Sequence, residues 1–436
     1  MRVMRGFIGI FLVILTGLFF TVSPGKAAEP IKIGAVTTIM DAASIVGLKG
    51  SQLAVKQIND SGGLLGRKLE LIVLDDEGKP EKAAALLEKL ATVDKVDFFQ
   101  GGYTSATTLA MIPGMIKYGK VTLWTGAASS KVEEALAGQN WFFHTYPWDY
   151  QSWPIVYKGV AQILQKYGNV KIKKVFVAYE EGPYGISYFA GAKEAFEAVC
   201  IEIRGVSFKS AMYGGSDYRA VLKKAKEYKP DLFLWIGFDK DSMPILMQSK
   251  EIGFNPSLYA GWPPAWPLDI RSSPLSDGVV FFSFWDEVIK YTSKPSKAFY
   301  DAYFKEYKEA PQSFTGPYTY SSIMILADAI KKAGSLDKAA VIKALEATNY
   351  DSAVGDKFIF GKSKFIDHQT YPQIKIMQYQ KDKVAVIWPW ELATAKLLYP
   401  FPSKGEPTAA DLRQVATAKS ASKRAVKGPV KAKGKK

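Results

Sequence analysis

Residues 31–90 read IKIGAVTTIMDAASIVGLKGSQLAVKQINDSGGLLGRKLELIVLDDEGKPEKAAALLEKL, and this stretch decides the fold. The short apolar run at 31–37 predicts a strand, and residues 47–60 follow with apolar side chains at helical spacing. A second strand is predicted at 69–74 and a second helix at 80–90, which opens with a proline where helices tolerate one. The stretch therefore predicts a β-α-β-α unit.

The same alternation continues along the chain on both sides of residue 150. The further predicted elements are strand 96–100, a helix from Ser105, strand 121–124, helix 151–167, strand 174–178, helix 184–199, strand 201–206, a helix ending at Tyr228 and strand 231–236. Such repetition predicts parallel sheets covered by helices on both faces. Two sheets make two lobes, and ligands collect at the carboxyl ends of parallel strands, so one cleft is expected between the lobes.

The opening stretch resembles the start of the leucine/isoleucine/valine-type periplasmic binding proteins. The most specific matches are Gly47 opening the first helix, Ile58-Asn59 with Gly62-Gly63 and Gly66, and Asp75-Asp76 before Pro80. Similarity continues to about residue 395 and weakens after residue 255. The resemblance implies an α/β fold of the type I periplasmic binding proteins, with two Rossmann-like lobes, each a parallel sheet flanked by helices, joined by a three-strand hinge.

The resemblance also implies the division of the chain. Lobe one is expected to contain residues 29–147 and 285–355, and lobe two residues 148–284 and 356–400. Residues 28–402 have a length suited to two ordinary domains.

The first 27 residues predict an export signal. Arg2 and Arg5 precede an apolar run at residues 6–22, and small residues at Gly25 and Ala27 suit cleavage after Ala27. The alternative is an uncleaved membrane anchor, although a run of 17 residues is at the lower limit for a bilayer span. The signal peptide, residues 1–27, predicts a periplasmic protein.

The net charge of +15 is concentrated at the ends of the chain. Residues 403–436 hold ten basic and two acidic residues, a net charge of +8, and residues 1–27 carry +3, which leaves +4 for residues 28–402. The composition of residues 403–436 predicts a disordered basic tail, which either contacts anionic surfaces weakly or only aids solubility. Because the charge lies in the ends of an exported chain, no nucleic-acid partner is expected.

Residues suited to catalysis are scarce. The chain has two histidines and one cysteine, which excludes a zinc site of Cys and His ligands and a Cys/His nucleophile. The glycines at 62–66 follow a helix, so they fail the context of a dinucleotide loop, and no phosphate-binding P-loop is present. We predict no enzyme activity, no metal and no cofactor. Cys200 is predicted to be a buried core residue, and the pairs Asp75-Asp76 and Glu180-Glu181 to be solvated loop residues.

The resemblance places an anion site in lobe one. The family holds its ligand carboxylate at a helix N-terminus and a neighbouring loop, which fall here on Ser105 in GGYTSATT and on Ala127 and Ser129 in the loop after strand 121–124. Backbone N–H groups at a helix start, with a serine hydroxyl, attract an anion without a full opposite charge. The alternative is that Ser105 only caps its helix.

Aromatic residues are expected to close over the ligand. The lobe-two tyrosine of the family matches Tyr184 in EEGPYGIS, and Tyr103, Phe238 and Trp262 lie near other expected cleft loops. Residues 141–153, WFFHTYPWDYQSW, contain seven aromatic side chains of thirteen. The alternative is that these rings pack the hinge and the lobe cores.

One departure from the family bears on the ligand. Amino-acid binders pair the ligand ammonium with an acidic residue of lobe two, but residues 259–266 read YAGWPPAW and contain no carboxylate. Asp239 or Asp241 is the remaining candidate for that role. We therefore predict an aromatic or otherwise hydrophobic carboxylate as the ligand in preference to a branched-chain amino acid.

The sequence as a whole predicts the periplasmic solute-binding component of an ABC importer. Its expected partners are a small-molecule ligand and the permease and ATPase subunits of the transporter, and a monomer is the simplest expectation. The alternative is a ligand-sensing module of a signalling system, because one fold serves several functions.

Overall fold

The computed structural model describes residues 28–167, 172–262, 264, 268–381 and 383–401. The predicted signal peptide, residues 1–27, and the predicted basic tail, residues 403–436, lie outside the described residues. In the described part, no helix is both long enough and apolar enough to span a membrane.

The first sheet has five parallel strands in the order β2-β1-β3-β4-β5. Its strands are β1 (Ile31–Thr37), β2 (Leu69–Asp75), β3 (Phe98–Gly101), β4 (Thr122–Trp124) and β5 (Phe142–His144). Each crossover between neighbouring strands contains a helix, as parallel pairing requires. The alternation predicted for residues 31–124 is confirmed.

The second sheet has seven strands in the order β14-β13-β10-β9-β8-β6-β7. Its strands are β6 (Lys174–Glu180), β7 (Glu202–Phe208), β8 (Leu232–Ile236), β9 (Leu258–Trp262), β10 (Val280–Ser283), β13 (Lys375–Gln380) and β14 (Lys383–Trp388). Strands β6 to β10 pair in parallel, whereas β13 pairs antiparallel with both of its neighbours. The predicted two-lobed α/β fold is confirmed, and the antiparallel edge adds to it. A short separate hairpin joins β11 (Tyr350–Asp351) and β12 (Lys357–Phe358).

The helices cover both sheets. They are α1 (Ala42–Asp60), α2 (Pro80–Thr92), α3 (Ser105–Tyr118), α4 (Ser130–Ala135), α5 (Asp149–Tyr167), α6 (Pro183–Glu197), α7 (Arg219–Tyr228), α8 (Asp239–Glu251), α9 (Leu268–Arg271), α10 (Lys294–Tyr307), α11 (Thr315–Ala333) and α12 (Lys338–Glu346). Helices α10 and α11 pack on α1, so the chain after β10 returns to the first sheet. The predicted lobe boundaries stay a prediction.

Helix α1 begins five residues earlier than the sequence predicted. The Asp41 side chain accepts a hydrogen bond from Ser44 N at 2.9 Å, and the Ser44 hydroxyl in turn contacts Asp41 N, which forms a capping box. Gly47, predicted to open the helix, therefore lies in its second turn. The apolar spacing missed the first turn because that turn is fixed by polar capping and not by apolar periodicity.

Glycines bring α1 and α11 into close contact. A Cβ atom at Gly50 would lie 2.2 Å from the Gly316 carbonyl oxygen. The Thr315 and Thr319 hydroxyls donate to the carbonyls of Ala43 and Gly47 at 2.5 and 2.6 Å. This contact fixes α1 over the first sheet.

The chain passes between the two sheets three times, after β5, after β10 and before β13. The first and third crossings pair: Thr370 N donates to the His144 carbonyl at 3.0 Å. Lys375 is buried, and its ammonium donates to the Phe284 carbonyl of the second crossing at 2.9 Å and pairs with Asp356 at 2.8 Å. The three crossings therefore form one connected hinge.

Two predictions about individual residues are wrong. Cys200 is exposed, because it lies in the turn after α6 with a positive φ of 61° and not within a strand. Asp76 and Glu180 are fully buried instead of solvated. Asp76 accepts from the Thr38 hydroxyl and from Gly78 N, and Glu180 accepts from the N–H groups of Gly182 and Gly185, so these carboxylates hold turns at the strand ends. Burial raises the pKa of both carboxyls.

Candidate functional site

A cavity of about 70 Å³ lies where the carboxyl ends of the first sheet face the second sheet. That volume is several times what a single water needs. Its wall includes loops after β3 and β4, the start of α1, the start of α11, and side chains on the side of the second sheet. The lining residues that carry the argument are Ser51, Gln100, Tyr103, Ser105, Tyr184 and Phe238.

The loop after β3 depends on two glycines. Gly101 and Gly102 have φ values of 134° and 82°, which favour glycine. A Cβ at Gly102 would lie 2.0 Å from Nε1 of Trp124, whose indole packs against this loop. The glycines thus let the backbone pass close to β4 and deliver Tyr103 and Ser105 to the cavity.

Ser105 is the first residue of α3 and lines the cavity. The capping residue is Thr104, whose hydroxyl accepts from Thr107 N at 3.2 Å, so the alternative that Ser105 only caps the helix is wrong. The Ser105 hydroxyl accepts from Ser129 N at 3.2 Å, which leaves its own proton free to donate. In the first turn the backbone N–H groups have no acceptor within the helix, so this end of α3 favours an anion.

The loop after β4 contributes less than predicted. Ala127 lines the cavity with a positive φ of 65°, but its N–H already donates to the Tyr103 carbonyl at 3.1 Å. Ser129 does not line the cavity, because its hydroxyl faces Lys131 N and caps α4. Its part in the site is to orient Ser105 through its backbone N–H.

Three of the predicted aromatic residues line the cavity from opposite sides. Tyr103 belongs to the loop after β3, whereas Tyr184 and Phe238 follow β6 and β8 of the second sheet. The Phe238 ring centroid lies 6.0 Å from that of Tyr103 and 5.7 Å from that of Tyr184. These rings and Ser105 therefore line the same cavity.

Trp262, the fourth predicted aromatic residue, is buried outside the cavity wall. It packs against Trp153 and Tyr188 in the second lobe's core, and its carbonyl accepts the Tyr184 hydroxyl at 3.0 Å. Trp262 therefore fixes the position of Tyr184 from outside the cavity. Of the aromatic run at 141–153, only Tyr146 lines the cavity, so most of those rings pack the hinge and the cores.

The cavity wall has no acidic or basic side chain among the residues described. Polar groups on it are hydroxyls, one amide side chain and backbone. A ligand's full charge would therefore meet only dipoles and hydrogen-bond donors or acceptors within this wall.

Two carboxyl groups meet just behind the wall. Asp239 Oδ2 accepts from Ala42 N at 2.9 Å, which joins the start of α8 to the start of α1, and Tyr103 donates to Asp41 at 2.5 Å. Burial, and then the charge of Asp41, raise the pKa of Asp239 well above its ordinary value. Protonation of Asp239 is thus favoured beside Asp41.

Asp241, the other candidate for an ammonium partner, serves the second lobe itself. Its carboxylate accepts from the Ser210 and Tyr218 hydroxyls and from backbone N–H groups of Ala211 and Phe238. It does not line the cavity. The structure gives Asp241 a structural role in fixing the loop that carries Phe238.

Sequence reasoning missed the contribution of α1 and α11 to the wall. The missed lining residues are Ala43, Ser44, Gly47, Leu48, Ser51, Phe314, Thr315 and Thr319. The small residues of α1 recur on one helical face, a pattern that indicates close approach of another element. That pattern was available in the sequence, but it does not reveal that α11, about 270 residues away, supplies the partner.

Comparisons with known proteins place this arrangement in context. The family model described as periplasmic binding protein matches residues 30–383. A Leu/Ile/Val-binding protein homolog from Brucella abortus is 24% identical over 389 residues, which cover 86% of this chain and 95% of that protein.

Two solved structures share the fold. The solute-binding protein of an ABC transporter from R. palustris, in complex with benzoate, superposes with a TM-score of 0.70 at 19% identity and covers 86% of this chain and 100% of its own. The branched-chain amino acid transporter substrate-binding protein from Streptococcus pneumoniae, in complex with isoleucine, gives a TM-score of 0.69 at 22% identity, with coverages of 85% and 100%.

Proposed function

This chain belongs to the periplasmic binding protein family, and from that premise we propose that it binds a small aromatic or hydrophobic carboxylate in the interlobe cleft and delivers it to an ABC-type permease. The proposed ligand class rests on the cavity wall, which offers an anion site but has no acidic or basic side chain among the described residues.

The carboxylate is expected at the start of α3. There the Ser105 hydroxyl is already oriented by Ser129 N, and the first-turn N–H groups other than that of Thr107, which Thr104 caps, have no acceptor within the helix. Hydrogen bonds to a charged acceptor are stronger than those between neutral groups, so this small set suffices to hold a carboxylate.

An α-ammonium group has no partner on the described wall. A charged group taken out of water without a partner costs several kcal/mol, which disfavours a zwitterionic amino acid. Asp239 is the alternative partner, but it does not line the described wall, its Oδ2 accepts from Ala42 N, and burial and the charge of Asp41 raise its pKa, which favours the neutral form. A neutral carboxyl gives an ammonium little electrostatic stabilisation.

The remaining wall suits an apolar body. Tyr103, Tyr184 and Phe238 line the same cavity as Ser105, and aromatic rings give a large apolar contact area. Among proteins of this fold, the one from R. palustris binds benzoate and the one from Streptococcus pneumoniae binds isoleucine, so the fold accommodates both classes.

Delivery requires that the permease distinguish the ligand-bound protein from the ligand-free protein. Ligand is expected to bind lobe one first, and rotation about the hinge then brings Tyr184 and Phe238 over it. Contacts of the Ala42–Asp239 kind would form on closure, and the permease would recognise the closed pair of lobes. Export through the segment at residues 1–27 places this cycle in the periplasm, and residues 29–147 with 285–355 act as lobe one.

The proposal is tested by thermal unfolding of the full chain with benzoate, cinnamate, octanoate and leucine. A ligand at 100 times its Kd adds about 2.7 kcal/mol, enough to raise the unfolding midpoint by several degrees. We expect benzoate, cinnamate or octanoate to raise the midpoint and leucine to leave it unchanged. A rise with leucine alone would contradict the proposed ligand class.

A further inference from the structure

The cavity continues from the cleft under α1, along the face of the first sheet. Lining residues Val73, Ala35 and Gln100 are lateral neighbours on β2, β1 and β3, as the strand register shows. Leu71 lies two residues farther from the strand ends than Val73. From the level of Thr37 to that of Leu71 the wall extends about 13 Å along the strands at their usual rise.

Apolar side chains form most of this extension. Ala35, Leu48, Leu71 and Val73 contribute methyl and methylene groups from the two facing surfaces. A ligand that enters here with its carboxylate at Ser105 needs an apolar body that is elongated along the sheet.

One polar pair interrupts the apolar surface. Gln100 is only 2% exposed and Ser51 only 3%, and both line the cavity. The Ser51 hydroxyl lies 3.5 Å from Gln100 Oε1, while Gln100 Nε2 has no hydrogen-bond partner among the described residues. Whichever way the amide is turned, one of its two polar atoms lacks a protein partner.

An unsatisfied buried amide is costly, since its hydrogen bonds to water are lost without replacement. Buried polar groups left open in a binding cavity are those that a ligand completes. No charged side chain of the described residues lines this part of the wall, so the completing group is neutral.

We propose that Gln100, supported by Ser51, is a specificity-determining residue that selects acids carrying a neutral hydroxyl or carbonyl group on the apolar body. The inference rests on the proposed function, because it assumes that the carboxylate binds at Ser105. The chemical class of the ligand is then a hydroxylated or oxo-substituted aromatic or aliphatic acid, such as a phenolic acid.

The test compares matched pairs of acids that differ by one hydroxyl. Dissociation constants of benzoate and 4-hydroxybenzoate, and of cinnamate and 4-hydroxycinnamate, are measured by isothermal titration calorimetry with the full chain. For at least one pair we expect the hydroxylated acid to bind about tenfold tighter or more, as a site built around a buried hydrogen bond discriminates.

Three variants assign that preference to the subsite. Gln100→Met keeps the side-chain volume and removes the amide, and it is expected to reduce the preference to within about threefold. Ser51→Ala is expected to reduce the preference partly. It tests the same subsite if Gln100→Met fails to fold. Gln52→Met is the matched control, because Gln52 is the exposed neighbour of Ser51 on α1, and it should keep the preference.

The outcomes separate the two proposals. If the unsubstituted and hydroxylated acids bind the parent chain equally, or if Gln100→Met keeps the full preference, the subsite inference is overturned while the proposed function stands. If neither these four acids nor octanoate binds the parent chain, the proposed function is overturned, and the inference falls with it.

Discussion

Under the proposed function, Ser105 is the residue of the first lobe that binds the ligand carboxylate. Its hydroxyl proton is free to donate because Ser129 N occupies the oxygen. Ser105→Ala removes that donor, so we expect the affinity for a carboxylate ligand to fall about tenfold, the effect of one lost hydrogen bond to a charged group. Equilibrium titration with the acid that gives the largest thermal shift measures this change.

Ser129→Ala is the matched control for that change. The Ser129 hydroxyl caps the short helix α4 and does not line the cavity, while the N–H group that orients Ser105 belongs to the backbone. Affinity within about twofold of the parent is expected. Equal losses of ligand affinity in the two variants would show that the carboxylate does not bind at Ser105.

The raised pKa of Asp239 leads us to predict that ligand binding depends on pH. The pKa of Asp239 is raised by burial and then by the charge of Asp41, and Tyr103 also interacts with Asp239. A carboxyl whose pKa rises on closure takes up a proton, so closure is favoured at low pH and weakens as pH rises above the ordinary Asp value of 3.8. Ligand affinity should therefore fall as pH rises above about 5.5, by at most about tenfold per pH unit, until the raised pKa is passed.

Asp239→Asn removes this titration while its amide oxygen still accepts from Ala42 N. The affinity of the variant is expected to be independent of pH over the same range, where a carboxylate ligand stays ionised. Calorimetric titrations of parent and variant at four pH values give the two slopes. An unchanged slope in the variant would rule out Asp239 as the group that titrates on closure.

Among elements, the packing of α1 on α11 determines the shape of the cavity. A methyl group at Gly50 would lie 2.2 Å from the backbone oxygen of Gly316, which cannot move without displacing α11. We expect Gly50→Ala to lower the free energy of unfolding by about 2 kcal/mol or more, in the range of overpacked cores. Urea unfolding measures the loss.

Gly114→Ala provides the comparison within a helix. Its added methyl group would meet only the end of the flexible Leu87 side chain, at 2.9 Å. Since alanine also favours the helix by about 1 kcal/mol over glycine, the variant is expected to stay within about 1 kcal/mol of the parent. A loss as large as that of Gly50→Ala would mean that helical glycines are required here for reasons other than close packing.

The elements themselves were largely predictable from the sequence, and the contacts between them were not. Apolar periodicity found the strands at 31–37 and 174–178 and the helix at 80–90, because each buries one face or both. It missed the first turn of α1, which Asp41 and Ser44 cap. It also placed Asp76 and Glu180 in solvent, although both are buried, where Asp76 Oδ1 accepts from Gly78 N and Glu180 accepts from Gly185 N.

The site was predictable to the extent that the family resemblance carried it. Ser105, Ala127, Tyr103, Tyr184 and Phe238 line one cavity, as loops at the strand ends should. Ser129 and Trp262 lie behind the residues that line the cavity. Whether a residue lines the cavity or lies behind it depends on the direction of its side chain, which its position in the sequence does not reveal. The walls supplied by α11 and by Gln100 were missed because their contacts with α1 join residues far apart in the chain.

At the scale of the whole molecule, two lobes enclose a cavity whose described wall has hydroxyls, one amide side chain and backbone groups but no acidic or basic side chain. The hinge that joins the lobes is itself tied together by the buried Lys375 ammonium, which contacts the second crossing and pairs with Asp356. This buried ion pair therefore stabilises the connection between the lobes. Ligand selection is left to hydroxyls, an amide and aromatic rings.

The measurement that tests this account most directly compares acids that differ only by an α-ammonium group. Isothermal titration calorimetry of the full chain at pH 7 gives the dissociation constants of 3-phenylpropanoate against phenylalanine and of 4-methylpentanoate against leucine. We predict that at least one ammonium-free acid binds and that its amino-acid counterpart binds about 100-fold more weakly or not at all, because a desolvated ammonium without a partner costs several kcal/mol. Tighter binding of phenylalanine or leucine than of its ammonium-free counterpart would contradict the account.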